Sequence, residues 1–359
     1  MKKLICLLFC CLLFLPAAAQ WKWHNPMEAS FPVIQNQGFT KEIGNSYTRL
    51  PERAKGVVSE PVWNLSQHSA GLAIHFYSNA PQIKVRYTVT GSLNMPHMPS
   101  TGVSGVDLYS INSDGEWHFC FGNYSFKDTI TYTYNNIGKD RYHKQGFEYR
   151  LYLPLYNGVK WLEIGIPEDA KLEFIPVSPE KPIVLYGTSI AQGACASRPA
   201  MAWGTILQRS LDYPLINLGF SGSARGEDAI AEYLASLDPS VFVCDYDHNA
   251  PSPEHLEKTH YPLYKRFRKA HPDTPIIFVS KPDFNPKSKD DIRRREVIIE
   301  TFNLAVNSGD KNVYFVDGSH LFDGEMRDSC TVDGCHPNDL GMAGMADVIG
   351  RAVEFALSM

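Results

Sequence analysis

Two short segments of the sequence carry residue types that together could perform nucleophilic acyl chemistry. Gly187-Thr188-Ser189 follows an apolar run, and a serine on a tight turn between a strand and a helix can present its hydroxyl at the edge of a sheet. Asp333 and His336 stand three residues apart before the last helical stretch, a spacing at which a carboxylate can orient an imidazole. Each segment alone is common as a turn or a helix cap, so the inference rests on their combination.

Two further segments add groups that could stabilise negative charge on a reacting oxygen. The stretch from Asn217 to Arg225 contains Gly222, and the stretch from Asp245 to Asn249 ends in an amide. A glycine backbone N–H and an asparagine side-chain amide are the donor types found in oxyanion holes.

These segments follow short apolar runs that are typical of strands buried on both faces. Helical stretches at 227–237, 252–269, 290–306 and 338–357 separate the later runs, with Ser252 as a helix cap and Pro253 in the first turn. The alternation predicts an α/β domain with a doubly wound, flavodoxin-like parallel sheet of five strands, helices on both faces, and an active site at the carboxyl ends of the strands. The five runs are Ile183–Tyr186, Leu215–Leu218, Val241–Cys244, Ile276–Val279 and Val313–Val316.

The first half of the chain has a different pattern. Apolar and polar residues alternate over Leu72–Tyr77, Gln82–Val89, Phe147–Leu153 and Val159–Ile166, the period of half-buried antiparallel strands. This half is therefore predicted to be an all-β sandwich or jelly-roll domain. The proline-rich stretch 175–182 is typical of a linker. We therefore predict a β-domain over 20–177 and a catalytic domain over 178–359.

Composition limits the class of protein and its location. The chain has 359 residues, 44% of them hydrophobic, and a formal net charge of −5, which gives no electrostatic basis for nucleic-acid binding. Residues 1–19 have the basic start, short apolar run and small residues of a secretory signal cleaved after Ala19. The apolar run is shorter than the roughly 20 residues that a membrane span needs. A soluble secreted or periplasmic protein of net charge −7 is expected, because the signal carries two lysines and no acid.

The cysteines of the mature chain leave two interpretations open. Three of the eight cysteines lie in residues 1–19, which leaves five. Cys330 and Cys335 are close enough in sequence for a short-loop disulfide, while buried free thiols are an equally good interpretation. An odd number means that not every cysteine can pair within one chain.

In their order and position, the four segments resemble the sequence blocks of the SGNH (GDSL-type) hydrolase superfamily. The resemblance implies that Ser189 is the nucleophile, His336 the general base and Asp333 the residue that orients His336. It also implies an oxyanion hole made by the Ser189 and Gly222 amides and the Asn249 side chain. Thr188 stands where the family's signature has Asp, and Asp-His-Asn replaces the more common third block. Upstream, Gly105 to Tyr109 matches the Gly-x-Asp-Leu-Tyr signature of a β-domain that precedes one branch of these hydrolases.

The resemblance implies a serine esterase that removes short acyl groups, such as acetyl, from carbohydrate, similar to acetyl-xylan esterases. Alternatives are a lipase or thioesterase of the same superfamily, or a secreted carbohydrate-binding protein whose hydrolase domain is inactive. Arg198, Arg225 and His248 could bind substrate because each lies near a catalytic loop, although exposed charges or a solvated loop histidine would explain them too. No cofactor and no protein partner are inferred. A metal-dependent alternative would use Asp247, His248, His255 and His260, but their spacing matches no established metal-ligand pattern.

Overall fold

The structure is a computed structural model that describes residues 20–111, 115–135, 137, 148–282, 288–324 and 326–359. The predicted signal over 1–19 lies outside the described residues, as does Phe147 at the start of the third predicted strand of the first half. Within the described ranges, no helix has both the length and the apolar character needed to cross a membrane.

Residues before 175 form two antiparallel sheets, as the alternating patterns predicted. One sheet has the strand order β1-β10-β4-β8-β7 and the other has β11-β3-β9-β5-β6, with β2 paired to β3. The inward side chains of both sheets, such as Val85 and Phe76, pack into one core, which confirms a β-sandwich. The strands are β1 (Trp21–His24), β2 (Ile34–Gln35), β3 (Ala73–Ser78), β4 (Gln82–Val89), β5 (Asp107–Ile111), β6 (Trp117–Cys120), β7 (Asn123–Ser125), β8 (Ile130–Asn135), β9 (Glu148–Tyr152), β10 (Val159–Pro167) and β11 (Leu172–Phe174). Three short helices accompany them, α1 (Thr40–Ile43), α2 (Glu60–Ser66) and α3 (Ser100–Val103).

The rest of the chain forms the predicted parallel sheet of five strands. Its order is β13-β12-β14-β15-β16, the doubly wound arrangement in which the chain starts near the centre and winds outward on both sides. Apolar side chains from its two faces belong to two separate cores, so helices cover both faces. The elements are β12 (Ile183–Gly187), α4 (Ser189–Gln192), α5 (Trp203–Leu211), β13 (Leu215–Gly219), α6 (Asp228–Ala235), β14 (Val241–Asp245), α7 (Pro253–Ala270), β15 (Ile276–Val279), α8 (Lys289–Asn307), β16 (Val313–Val316) and α9 (Asp339–Leu357).

Side chains from both sides of the predicted boundary at residue 177 pack into one hydrophobic core. Phe39, Leu50 and Val62, which come from the segment around α1 and α2, pack with side chains of the parallel sheet such as Phe220. Burying this apolar surface stabilises the contact by roughly 25 cal/mol for each Å² removed from water. The sandwich therefore keeps a core of its own, whereas the segment around α1 and α2 joins the core on one face of the parallel sheet.

Arg49 makes a second connection between the parts and was not anticipated from the sequence. Its guanidinium is 2% exposed and donates to the carbonyls of Asn217 (3.1 Å) and Gly219 (2.7 Å) at the carboxyl end of β13. It also donates to the carbonyls of Leu65 and His68. Burial lowers the pKa of Arg49 to about 9, since the charge is solvated only by backbone dipoles.

None of the five cysteines of the described residues forms a disulfide. Cys330 is buried, and Cys335 is half-buried in the turn that leads to α9. Of the two interpretations that the sequence left open for this pair, the structure has the one without a disulfide.

Candidate active site

The nucleophile candidate lies on a sharp turn that only glycine permits. β12 ends at Gly187, Thr188 caps the short helix α4, and Ser189 is the first residue of that helix. A side chain at Gly187 would come within 2.6 Å of both the Ala191 Cβ and the Asp245 carbonyl oxygen. Ser189 itself is buried, with 7% of its surface exposed.

Contacts from the neighbouring strand hold α4 in place. A side chain at Gly219 would lie 2.3 Å from the Gln192 amide nitrogen, so the end of β13 touches the backbone of this helix. Asn217 donates its side-chain amide to the Ala191 carbonyl at 2.7 Å, and Ser221 donates its backbone amide to the Gln192 side chain at 3.0 Å. Such contacts fix a nucleophile more firmly than a free loop could.

The structure brings Ser189, His336 and Asp333 together in a continuous hydrogen-bonded array. Ser189 Oγ lies 3.1 Å from His336 Nε2, and His336 Nδ1 lies 2.8 Å from Asp333 Oδ2. Because an ionised carboxylate only accepts hydrogen bonds, Nδ1 carries the proton and Nε2 keeps its lone pair for the serine hydroxyl. This is the geometry of a serine nucleophile with an oriented base.

Asp333 is well suited to stay ionised. Its Oδ1 accepts the backbone amides of Cys335 (3.0 Å) and His336 (2.8 Å). Partial burial alone would raise the pKa of this carboxyl, but the hydrogen bonds to His336 and Cys335 outweigh it and lower the pKa to about 2. The carboxylate is therefore charged at neutral pH.

The oxyanion-hole candidates follow strands that end beside the nucleophile turn. In the sheet register, Gly187 at the end of β12 pairs with Gly219 of β13 on one side and with Asp245 of β14 on the other. Gly222 comes three residues after the end of β13 and has a φ of +68°, a backbone conformation that favours glycine. Asn249 comes four residues after the end of β14, in a short 3-10 turn. Its buried Oδ1 has no hydrogen-bond partner among the described residues.

Both ring nitrogens of His248 form hydrogen bonds within the protein, on the residue that precedes Ser189 and on a neighbouring aspartate. Its Nδ1 lies 2.8 Å from Asp247 Oδ1, and its Nε2 lies 2.7 Å from the Thr188 hydroxyl. Asp247 Oδ2 also accepts the Lys281 amide at 3.0 Å. Burial would raise the pKa of Asp247, but its bonds with His248 and Lys281 hold it below the ordinary value. Sequence reasoning missed this second array, although the unusual Asp-His-Asn block marked its position.

Asp245 is the least satisfied polar group of the region. It is fully buried, and neither carboxylate oxygen has a hydrogen-bond partner among the described residues. Burial raises the pKa of Asp245 to about 7, with a further increase from the charge of Asp247 that the nearby His248 opposes. At neutral pH a large fraction of this acid is therefore protonated.

The two arginines predicted as possible substrate contacts have different surroundings. Arg198 is held between the two parts of the chain, where its Nη1 lies 2.9 Å from Asp107 Oδ2 and 3.0 Å from the Tyr109 hydroxyl. The backbone amide of Ala200 donates to the same Asp107 oxygen at 2.9 Å. Arg225 stays exposed and donates to the Gly222 carbonyl at 3.2 Å, close to a proposed oxyanion donor.

The structure divides the alternative metal set. His255 accompanies neither Asp247 nor His248, because its Nε2 lies 2.8 Å from the Arg225 carbonyl oxygen. The ring of His260 is buried against those of Tyr246 and Phe278. These four residues do not form one ligand cluster.

One cavity of the described residues lies away from this site. It has a volume of about 570 Å³ and is lined by residues such as Pro214 and Ile216, near the start of β13, and Val177 of the linker. Because this is the amino end of the strands, the cavity lies at the opposite edge of the sheet from Ser189.

Together, a flavodoxin-like sheet, a serine at the end of its first strand and an Asp-His pair before the last helix are the arrangement of SGNH hydrolases. The model of the N-terminal GxDLY domain of SGNH-hydrolase-type esterases matches residues 21–172. The model of the GDSL-like lipase/acylhydrolase family matches residues 180–354. A search of curated protein sequences found no significant match.

Solved structures agree with these matches. A protein described as a GDSL-like lipase from Bacteroides ovatus is 32% identical, with a TM-score of 0.84 over 94% of this chain and 98% of that chain. A salicylyl-acyltransferase of a tetracycline biosynthetic pathway is 18% identical, with a TM-score of 0.72 over 93% and 97% of the two chains. An acetyl xylan esterase from the rumen bacterium Butyrivibrio proteoclasticus shares the fold at 12% identity, with a TM-score of 0.54 over 94% and 99%. The chain belongs to the GDSL-like lipase/acylhydrolase family, in the branch that has an N-terminal GxDLY domain.

Proposed function

We propose that this protein is an exported serine esterase that removes short acyl groups, acetyl above all, from carbohydrate. The observation that carries the proposal is the array of Ser189, His336 and Asp333, with 3.1 Å and 2.8 Å between successive partners. Export rests on the signal-like residues 1–19 of the sequence.

In the first step Ser189 Oγ attacks the ester carbonyl carbon, and His336 Nε2 takes the hydroxyl proton. The ester C=O pair moves to oxygen, and the amides of Ser189 and Gly222 with the Asn249 side chain stabilise that charge. His336 then gives its proton to the departing alcohol, which leaves an acyl-serine. Asp333 stays ionised throughout, because its pKa is about 2, and it stabilises the imidazolium that forms.

In the second step water attacks the acyl-serine with His336 again as the base, and the acid and the free serine are released. Each oxyanion donor is worth about 3–4 kcal/mol of barrier, or roughly 10²- to 10³-fold in rate. The amides of Ser189 and Gly222 donate no hydrogen bond within the described part of the chain, which leaves them available for a substrate oxygen.

The short acyl group is supported by the burial of Ser189, which is only 7% exposed. The carbohydrate alcohol is supported by the shared fold of carbohydrate esterases such as the Butyrivibrio enzyme, which is named for acetyl xylan. The acyltransferase among the similar structures identifies another outcome, in which an alcohol other than water accepts the acyl group.

The experiment is to measure acetate release from acetylated xylan, acetylated pectin, O-acetylated sialic acid and aryl acetates, with wild type and Ser189→Ala. We expect release from at least one acetylated carbohydrate, and no release above background with Ser189→Ala at unchanged thermal stability. Ser221→Ala is a matched control, since this serine lies nearby but outside the array.

Three results would contradict the proposal. Turnover of p-nitrophenyl acetate by Ser189→Ala would remove Ser189 as the nucleophile. Hydrolysis of long-chain or thioesters in preference to every acetylated sugar would replace the substrate class. Carbohydrate binding without any turnover would favour the inactive carbohydrate-binding alternative.

A further inference from the structure

Three potential metal ligands from separate parts of the chain meet beside the proposed base. His97 lies in the loop between β4 and α3 of the sandwich, Cys195 lies in the loop after α4, and His336 precedes α9. One ligand atom from each residue lies within 4.8 Å of the other two. The rings of His97 and His336 are 5.6 Å apart between centroids.

Two of these three side chains form no hydrogen bond with the described residues. Neither the His97 ring nor the Cys195 thiol forms a hydrogen bond with any residue that the structure describes. Cys195 is 4% exposed, so its sulfur faces the protein interior rather than solvent. A thiol and two imidazoles that lie this close together provide three ligand atoms of the types that bind transition metals.

His336 is already arranged as a metal ligand. Its Nδ1 donates to Asp333 at 2.8 Å, which leaves the Nε2 lone pair facing away from the carboxylate. Metal-ligating histidines almost always donate their second nitrogen to a carboxylate or carbonyl, because this orients the ring and increases its basicity. The features that suit His336 to accept a proton therefore also suit it to bind a metal ion.

We propose that His97, Cys195 and His336 form a binding site for Zn²⁺ or a similar borderline-soft divalent ion, and that the bound ion inhibits the esterase. One thiolate and two imidazoles are ligands that select Zn²⁺ and Co²⁺ over Mg²⁺ and Ca²⁺, which require oxygen ligands. Three protein ligands leave a fourth tetrahedral position for water.

Small movements would complete the coordination. Zinc bonds of about 2.3 Å to sulfur and about 2.0–2.1 Å to nitrogen place tetrahedral ligand atoms roughly 3.3–3.6 Å apart, so the present separations have to close by at most about 1.5 Å. Binding replaces the thiol proton of Cys195, which leaves to solvent.

Inhibition is expected because the metal ion and the serine proton would need the same lone pair of His336 Nε2. His336 Nε2 lies 3.1 Å from Ser189 Oγ, and a metal ion on Nε2 prevents this nitrogen from taking the serine proton. This part of the inference rests on the proposed function, whereas metal binding does not.

The test of binding is a Co²⁺ titration of the purified, metal-free protein, followed by its optical spectrum. We expect one Co²⁺ per chain with a thiolate-to-cobalt charge-transfer band, displaced by Zn²⁺ and not by Mg²⁺. Cys195→Ala should lose the band, and His97→Ala should weaken Co²⁺ binding at least roughly 10-fold, since even outer partners of a ligand are worth about 10- to 100-fold. Cys195→Ser serves the same purpose if Cys195→Ala does not fold.

Matched controls use a thiol and an imidazole outside the cluster. Cys330→Ala removes a buried cysteine whose thiol donates to the Met326 carbonyl, and His320→Ala removes an exposed histidine paired with Asp323. Both should keep the band and the Co²⁺ affinity of wild type. A spectrum without a thiolate band, or a band that survives Cys195→Ala, would overturn the site.

The test of inhibition is hydrolysis of p-nitrophenyl acetate over a range of Zn²⁺ concentrations. We expect inhibition that a chelator reverses and that needs at least roughly 10-fold more Zn²⁺ in His97→Ala. Equal Zn²⁺ sensitivity of wild type and His97→Ala would overturn the inhibitory role. If the wild type hydrolyses no ester, the proposed function fails while the Co²⁺ spectrum still decides whether the site exists.

Discussion

Thr188 and Ser189, adjacent in sequence, are each hydrogen-bonded to a histidine that is itself bonded to an aspartate. The Thr188 hydroxyl lies 2.7 Å from His248 Nε2, and the Ser189 hydroxyl lies 3.1 Å from His336 Nε2. The first array is buried beneath the turn, while the second reaches its surface. The imidazole of His248 therefore anchors the turn at Thr188, and the imidazole of His336 is placed to activate the next residue, Ser189.

Replacing Thr188 tests this anchor. Thr188→Val keeps the shape but leaves His248 Nε2 without a partner and removes the cap on Ile190, so we expect a loss of about 1–3 kcal/mol in the free energy of unfolding. A displaced turn should also lower kcat of ester hydrolysis, by up to about 100-fold, with little change in KM. Thr188→Ser retains the hydroxyl and is the control; equal behaviour of both variants would show that the bond to His248 is unimportant.

Asp333 should make stability depend on acid pH. Its folded-state pKa of about 2 lies below the ordinary value of 3.8, so the ionised carboxylate stabilises the fold above pH about 4. That contribution is lost as the pH falls through about 2. Urea unfolding of wild type and Asp333→Asn should therefore differ near pH 6 and converge toward pH 2. A difference that is constant over this range would exclude the hydrogen bonds to Asp333 as its cause.

Asp245 should have the opposite effect. Its folded-state pKa of about 7 lies above the ordinary value of 3.8, so the folded chain holds a proton that the unfolded chain releases. Stability conferred by the protonated acid is lost as the pH rises from about 4 to about 7. Asp245→Asn, which mimics the protonated acid, should gain in stability relative to wild type between pH 5 and pH 8.

Asp247→Asn is the matched control for Asp245, because the pKa of Asp247 is lowered and its charge is used by His248. This variant should be less stable than wild type at neutral pH. If both asparagine variants lost stability to the same extent at pH 8, Asp245 would be ionised and partnered, contrary to the expectation.

Arg198 should act through the contact with Asp107 rather than through substrate. Asp107→Ala removes the acceptor of both Arg198 and the Ala200 amide, and we expect a cost of roughly 1.5–3 kcal/mol in the free energy of unfolding. Arg198→Lys should be less stable than wild type but keep its KM for acetylated substrate. If Arg198→Lys increased KM without any loss of stability, Arg198 would instead be a substrate contact.

The parallel sheet could be predicted closely because its strands are buried on both faces. The runs at Ile276–Val279 and Val313–Val316 match β15 and β16 at both ends. The other three strands extend one residue further, to Gly187, Gly219 and Asp245, because neither a glycine nor an acid continues an apolar run. The same reasoning selected Ser189, His336 and Asp333 as candidates, because strand ends and the turn before the last helix can be identified from sequence, and the structure brings these three residues together.

What the sequence could not indicate depends on contacts between distant segments. The sequence left open whether His248 lines the site or is a solvated loop residue, and its ring bonds with Thr188, 60 residues earlier. It likewise left open whether Arg198 contacts substrate or is an exposed charge, and its guanidinium bonds with Asp107 of the sandwich. Nothing in the sequence indicated the position of Arg49, because its guanidinium donates to backbone carbonyls and pairs with no acidic side chain that the sequence would show.

The position of Arg49 has a consequence for how the molecule unfolds. A chain that began at residue 178 would lose the donor to the Asn217 and Gly219 carbonyls and would expose the apolar surface that Phe39, Leu50 and Val62 cover. Melting the sandwich would do the same to the parallel sheet. The two halves should therefore melt in a single cooperative transition, and neither should be obtainable as an independently folding fragment.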